Sequence, residues 1–369
     1  MMQRLRGSVA IVLNAIFFTF AVAALGQPPH KTQNVIFVMT DGLRWQEVFR
    51  GADPALMNAA SGVSNLEELK RHYWRAPAED RRAALMPFLW QTIARQGQIY
   101  GNRDLGAEAY VTNGLNFSYP GYNETLCGFP DPRIRSNDNV PNPNMTVLEW
   151  LHRKAPFHGQ VAAFGAWEVI SSIVNGERGG FVANAGYAPF TTSPVTPALE
   201  TLNRVKAETR VWDDEPFDAF AFRTAMEYLK LHKPRVLYVS LGETDDWAHA
   251  GKYDLYLDSA HRVDEYLKEL WETVQSMEQY RGKTTLIFST DHGRGLAPEA
   301  WKSHGEKIPE SKYIWMAFLG PDTRAMGQRS DVPAVTQSQI AATLAGLLGE
   351  DYRAEVPNAG PAIRDVLSK

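Results

Sequence analysis

An open α/β sheet is the fold class this chain predicts, and three observations predict it. Apolar runs at residues 34–39 (NVIFVM), 236–241 (VLYVSL) and 284–289 (TTLIFS) have the length and aliphatic content of buried strands. Other stretches place apolar residues at helical spacing, as in Val263, Tyr266, Leu267, Leu270 and Val274. Each of the three runs is followed within a few residues by an aspartate: Asp41, Asp245 or Asp291. Ligand-contacting side chains of open α/β sheets sit there, just beyond the carboxyl ends of the strands.

The first 26 residues are of another kind. Arg4 and Arg6 precede an almost uncharged apolar run, residues 9–25, and Ala24 and Gly26 are the small residues before a cut at Gln27. That order is the order of a secretory signal peptide, with an uncleaved membrane anchor as the lesser alternative, so the protein is expected to be exported, periplasmic or secreted, with residues 27–369 forming one domain. No later stretch reaches the ~18 apolar residues of a membrane span. Cys127 is the only cysteine, which leaves no internal disulfide. With 38 basic and 42 acidic residues the net charge is -4, so there is no overall electrostatic case for a nucleic-acid partner. An anionic small-molecule substrate must be held by local positive charge, such as metals.

Taken in order, residues 34–39 run into Thr40-Asp41-Gly42, where Asp41 can serve as a helix cap or as a metal carboxylate. Residues 51–97 are mostly helical in pattern, with Pro87 at a first-turn position and Gly97 as the stop. Short strands are expected near Ile99 and at 109–112. Residues 113–133 begin as a loop crowded with Gly, Pro and Asn. In it Ser118 precedes Tyr119-Pro120-Gly121, where Pro and Gly are expected to bend the chain tightly into a helix and leave the hydroxyl exposed. Thr112, at a strand end, and Thr125, inside the following helix, are competing hydroxyls. Residues 134–234 are irregular, with strands expected at 160–164 and 180–184 and a helix at 216–231. A cap or insertion facing the substrate is expected within this stretch. In the segment after residue 241, Asp245 and His249 are four apart, on one face of a helical turn, with Asp246 as the register alternative. Asp291-His292 is followed by His304, an apolar strand at 313–319 and a structural amphipathic helix at 336–349, stopped by Gly349.

Three aspartates (Asp41, Asp245, Asp291) and three histidines (His249, His292, His304) with one hydroxyl form a ligand set sized for two divalent metals. In this order the residues resemble the alkaline phosphatase superfamily, which includes nucleotide pyrophosphatase/phosphodiesterases, phosphoglycerate mutases and sulfatases. The resemblance covers most of the chain after residue 26. It implies a three-layer αβα sandwich with a mostly parallel central sheet. It also implies one metal on Asp245, His249 and His304, and a second on Asp41, Asp291, His292 and the oxygen of Ser118. Zinc fits such donors, with manganese as the alternative. Two ions about 4 Å apart would clamp an in-line displacement in which Ser118 becomes a phosphoserine. An asparagine, Asn137 or Asn139, would bind the phosphoryl oxygens. Lys302 and Arg294 are possible anion contacts, each read more readily as a solvated surface residue. The expected activity is metal-dependent hydrolysis of phosphoric esters. A sulfuric or phosphonic ester hydrolase, or an inactive metal-binding homologue, is the alternative. Against the sulfatase branch, Ser118-Tyr119-Pro120-Gly121 ends in Tyr122 where formylglycine chemistry requires arginine.

Overall fold

The unbroken apolar runs form the middle of a sheet that is covered on both faces, as such strands require. The computed structural model describes residues 30–367, so the expected signal peptide at 1–26 lies outside the described residues. The strands are β1 (Asn34–Thr40), β2 (Gln98–Tyr100), β3 (Ala109–Tyr110), β4 (Val161–Gly165), β5 (Val182–Ala185), β6 (Val236–Leu241), β7 (Thr284–Thr290), β8 (Met316–Leu319), β9 (Gly327–Gln328) and β10 (Val335–Thr336). Eight of them make one sheet in the order β5-β4-β6-β1-β7-β8-β2-β9, while β3 pairs with β10 in a two-stranded ribbon. Within the large sheet β8 alone runs against its neighbours.

Period-two alternation along β1 sorts its side chains into two apolar layers. Ile36 and Val38 pack with Leu257, Val263 and Leu267 of the Tyr253–Ser276 helix and with Phe222 and Leu229 of the Asp218–His232 helix. Val35, Phe37 and Met39 join Tyr119, Tyr122 and Leu126 of the Ser118–Cys127 helix and Ile340 and Leu344 of the Ile340–Leu347 helix. The result is the expected three-layer αβα sandwich with a mostly parallel sheet.

Some boundaries differ for local reasons. Expected strand 313–319 starts only at Met316, because Tyr313 forms a lone bridge to Tyr110 outside the large sheet. The 134–234 stretch supplies β4, β5 and the Asp218–His232 helix to the sandwich. Between β5 and the Asp218–His232 helix, residues 186–217 hold the Pro197–Glu208 helix, whose Leu199 packs into the core. Among the described residues no helix is long and apolar enough to cross a membrane.

Candidate metal centre

Strand register gathers the acids. Thr40 is level with Leu241 on β6 and with Thr290 on β7, so the residues that follow leave the sheet side by side. Asp41 N–H donates to the Leu241 carbonyl at 2.8 Å, and Gly42 N–H donates to Asp291 Oδ1 at 3.0 Å. The Thr244 hydroxyl donates to the Asp41 carbonyl, tying the Glu243–His249 helix to the end of β1. One turn of that helix places Asp245 Oδ2 3.0 Å from His249 Nε2. His304 Nε2 lies 3.0 Å from the same nitrogen.

The histidines are oriented from behind. His292 Nδ1 is 2.9 Å from the Gly293 carbonyl, and His304 Nδ1 is 3.2 Å from the Asn116 carbonyl. A carbonyl oxygen can only accept, so Nδ1 is the donor in both rings and Nε2 faces the cluster, the orientation usual for a ligating imidazole. His292 Nε2 is 3.3 Å from Asp41 Oδ1 and 3.4 Å from Asp291 Oδ2. Its ring stacks on His304 with centroids 3.9 Å apart.

Two overlapping groups of these residues could hold a metal ion. Ligand atoms of Asp41, Asp291 and His292 lie within 4.8 Å of one another, as do those of Asp245, His292 and His304. His292 thus stands between two groups that the sequence divided, with His249 beside the second. Asp41 Oδ1 and Asp291 Oδ2 are buried and accept no hydrogen bond, a costly condition that a bound cation relieves. Burial, reinforced by Asp41, pushes the Asp291 carboxyl well above the usual range. Burial alone would lower His292, but the carboxylates of Asp291 and Asp41 lift it to about 9. His304 is pushed down to about 2, by burial first and then by His292. Burial works against the Asp245 anion, yet the Arg294 guanidinium and His304 hold that carboxyl well below its ordinary range.

Ser118 is the hydroxyl that the fold delivers. It lines a cavity of about 310 Å³ together with Asp41, Asp245, His249 and His304, and its Oγ is 3.4 Å from His292 Nε2. The expected bend at Pro120-Gly121 is absent: the helix already begins at Ser118, and proline is tolerated in a first turn where its missing N–H goes unused. Gly121 serves packing instead, since a Cβ there would lie 2.5 Å from the Asp291 carbonyl oxygen. Thr112 Oγ1 donates to Glu124 at 2.7 Å, and Thr125 is wholly buried; neither lines the cavity. Asn137 does line it, with its Oδ1 fixed by the Tyr119 N–H at 3.0 Å, which leaves its NH2 as a donor. Asn139 is turned elsewhere, accepting from Ser172 Oγ at 2.6 Å.

Arg294 is not the solvated residue expected from the sequence. It is 1 % exposed, bonded to Asp245 and donating to the carbonyls of Trp301 and Lys302 at 2.8 and 2.6 Å. It therefore clamps the Asp245 helix to the segment carrying His304. Lys302 pairs with Glu299 at 3.2 Å, away from the cavity. Sequence reasoning also passed over Tyr122, whose hydroxyl donates to Asp41 Oδ2 at 3.1 Å and accepts from Ser240 at 2.9 Å. Trp167, Asp214, Glu215 and Asp246 also line the cavity; of these only Asp246 is singled out by the sequence, as the register alternative to Asp245. A larger cavity of about 630 Å³ lies along β5 and contains none of the candidate ligands.

Comparison with known proteins accords with this geometry. Among solved structures the chain is similar to wild-type alkaline phosphatase PafA, at 11% identity, with 93% of this chain and 100% of that chain covered and a TM-score of 0.58. It is similar to the lipoteichoic acid synthase LtaP from Listeria monocytogenes, at 12% identity over 87% of this chain and 72% of that chain, with a TM-score of 0.55. A protein of the alkaline phosphatase superfamily from Vibrio parahaemolyticus aligns at 14% identity over 91% of this chain and 71% of that chain, with a TM-score of 0.53. At these identities the likeness is one of fold. No curated protein matches the sequence. The sequence model of the type I phosphodiesterase / nucleotide pyrophosphatase family matches residues 63–316, a span that holds Ser118, Asp245, His249, Asp291, His292 and His304. With more than half of its length matched and an alkaline phosphatase-like sandwich beneath it, the chain belongs to the type I phosphodiesterase / nucleotide pyrophosphatase family of alkaline phosphatase superfamily hydrolases.

Proposed function

We propose that this hydrolase is exported, cleaves phosphoric esters with the help of two divalent metal ions, and passes through a phosphoserine on Ser118. The observation that carries the proposal is the convergence, on one cavity, of a serine hydroxyl at a helix start with an Asp/His donor set containing unpartnered buried oxygens. Asp41, Asp291, His292 and Ser118 are assigned to one metal, and Asp245, His249 and His304 to the other. The donor set suits zinc, then manganese. Export rests on the basic, apolar and small-residue order of the N-terminus.

When bound, the ions would supply Lewis acidity that lowers the pKa of a hydroxyl and offsets charge on phosphoryl oxygens. Ser118 Oγ gives its proton to solvent and forms a bond to phosphorus as the bond from phosphorus to the leaving oxygen breaks. The Asn137 NH2 donates to a phosphoryl oxygen. Backbone N–H groups of the first helical turn contribute little, because Tyr119 N–H is engaged by Asn137 and Pro120 has none. Water then bonds to phosphorus, the phosphorus–Oγ bond breaks, and a proton from that water restores the serine. Acid quench during turnover of an aryl phosphate should trap phosphate on the peptide containing Ser118. Ser118→Ala should retain the fold and lose ~10³-fold or more in turnover. Phosphate on Thr112 or Thr125 would overturn the assignment, and an aldehyde at Ser118 or Cys127 would move the enzyme to sulfate esters.

A further inference from the structure

The two carboxylates assigned to the metal beside Ser118 are each engaged on one oxygen by a fixed protein donor. Gly42 N–H donates to Asp291 Oδ1 at 3.0 Å, and the Tyr122 hydroxyl donates to Asp41 Oδ2 at 3.1 Å. The remaining oxygens, Asp41 Oδ1 and Asp291 Oδ2, are buried without a hydrogen-bond partner and lie 3.3 and 3.4 Å from His292 Nε2. Ser118 Oγ is 3.4 Å from the same nitrogen. Two carboxylate oxygens, one imidazole nitrogen and one hydroxyl therefore come together, and the second oxygen of each acid is turned to the protein.

Tyr122 is the side chain that enforces this at Asp41. It stands four residues beyond Ser118 on the same face of the Ser118–Cys127 helix, and its ring is buried. An ionised carboxylate only accepts, so the tyrosine gives its single proton to Asp41 and takes one from Ser240 Oγ, 2.9 Å away on β6. Tyr122 does not line the cavity, so its influence on a bound ion passes through Asp41. Its hydrogen bonds are to Asp41 and Ser240, not to Asp245, His249 or His304, which confines that influence to one ion of the proposed two.

Ligand count separates the two metals that suit this donor set. Zinc is usually held by four donors in a tetrahedron, whereas manganese favours six in an octahedron and gains from oxygen-rich, higher-coordinate surroundings. A carboxylate with both oxygens free can offer both to one ion. We propose that Tyr122 is a positioning residue that sets metal preference: by holding Asp41 Oδ2 it limits Asp41 to one ligand atom and tunes the site beside Ser118 to zinc over manganese. The inference deepens the two-metal reading and rests on it.

The test is equilibrium dialysis of metal-loaded parent, Tyr122→Phe and Ser240→Ala proteins against chelator-buffered zinc or manganese, with bound metal counted by elemental analysis. In Tyr122→Phe one of two zinc affinities should fall ~10- to 100-fold, as loss of a partner behind a ligand generally causes, while manganese affinity at that site holds or rises. The second zinc should be unaffected. Ser240→Ala leaves the phenol in place and should shift the zinc-to-manganese ratio the same way by less; it carries the test where the phenylalanine variant does not fold. Parallel losses of zinc and manganese, or losses at both sites, mark a merely structural tyrosine and overturn the proposal. So does an unchanged ratio with two zinc ions still bound, an outcome that leaves the two-metal reading standing. A parent chain that binds no zinc removes that reading and the proposal together.

Discussion

Gly121→Ala is the smallest change expected to separate the proposed nucleophile from the proposed metal ligands. The added methyl would lie 2.5 Å from the Asp291 carbonyl oxygen, against an ordinary contact of 3.4 Å or more. That oxygen cannot yield easily, since it accepts from Gln337 Nε2 at 2.6 Å and follows a fully buried strand. The Ser118–Cys127 helix must therefore retreat by about 0.9 Å, the gap between the 2.5 Å approach and a 3.4 Å contact, and it carries Ser118 three residues away. Alanine gains about 1 kcal/mol over glycine in helix propensity. Overpacking costs about 1–3 kcal/mol, so strain wins and a modest net loss of stability is expected. Turnover should suffer more, because a displacement near 1 Å of a reacting group costs on the order of 10²-fold. Steady-state turnover of an aryl phosphate by metal-loaded protein, urea unfolding and a crystal structure would check this. Parent-like turnover with the Ser118 Oγ to His292 Nε2 distance unchanged would refute the reasoning.

Other outcomes follow from the same geometry. Prolonged chelation should abolish hydrolysis and zinc or manganese restore it; full activity in protein shown by elemental analysis to be metal-free would end the two-metal account. Arg294→Met removes the clamp between Asp245 and the segment bearing His304, so bound metal should drop, and loss of a buried charge partner should destabilise by about 3 kcal/mol. Metal content and unfolding free energy equal to the parent would contradict that role. Lys206 donates to the Ala188 carbonyl at 2.7 Å, and burial lowers its ammonium pKa to about 8 from 10.5. Between those values the unfolded chain binds more protons than the folded one, so this group's contribution to stability rises with pH from 8 to 10.5 and then levels off. Relative to Lys206→Met, the parent should gain at most about 3 kcal/mol across that window in paired unfolding curves, and a flat difference would discount the burial effect.

The ligand-bearing strands were legible because a buried parallel strand is an uninterrupted apolar run, and an acid directly after it stands out. Asp41 and Asp291 are of this kind, and Asp245-x-x-x-His249 adds a helical spacing that survives in the structure. Tertiary pairing was not legible. Arg294 looks like any surface arginine until the Asp245 carboxylate and two carbonyls are seen to enclose it. The choice between Asn137 and Asn139 turns on one hydrogen bond to Tyr119, a contact across 18 residues with no local signature. Ser118 lines the cavity, with its Oγ 3.4 Å from His292 Nε2, but the local conformation is not the one its neighbours suggest. Pro120 and Gly121 read as turn formers, whereas the helix accommodates one in its first turn and uses the other for close contact.

The central position of β1 has a consequence for biogenesis. Its neighbours in the sheet come from far downstream: Thr40 meets Thr244 across 204 residues, and Gly42 meets Asp291 across 249. A ribosome must therefore emit most of the chain before Asp41, the first candidate ligand, acquires its companions, and closing contacts of such separation is slow. Any metal held by the proposed centre is thereby captured late, by a nearly complete polypeptide. A nascent or truncated chain that ends before β7 holds Asp41 and Asp245 without Asp291, His292 or His304, and so presents fragments of a chelator in place of a centre.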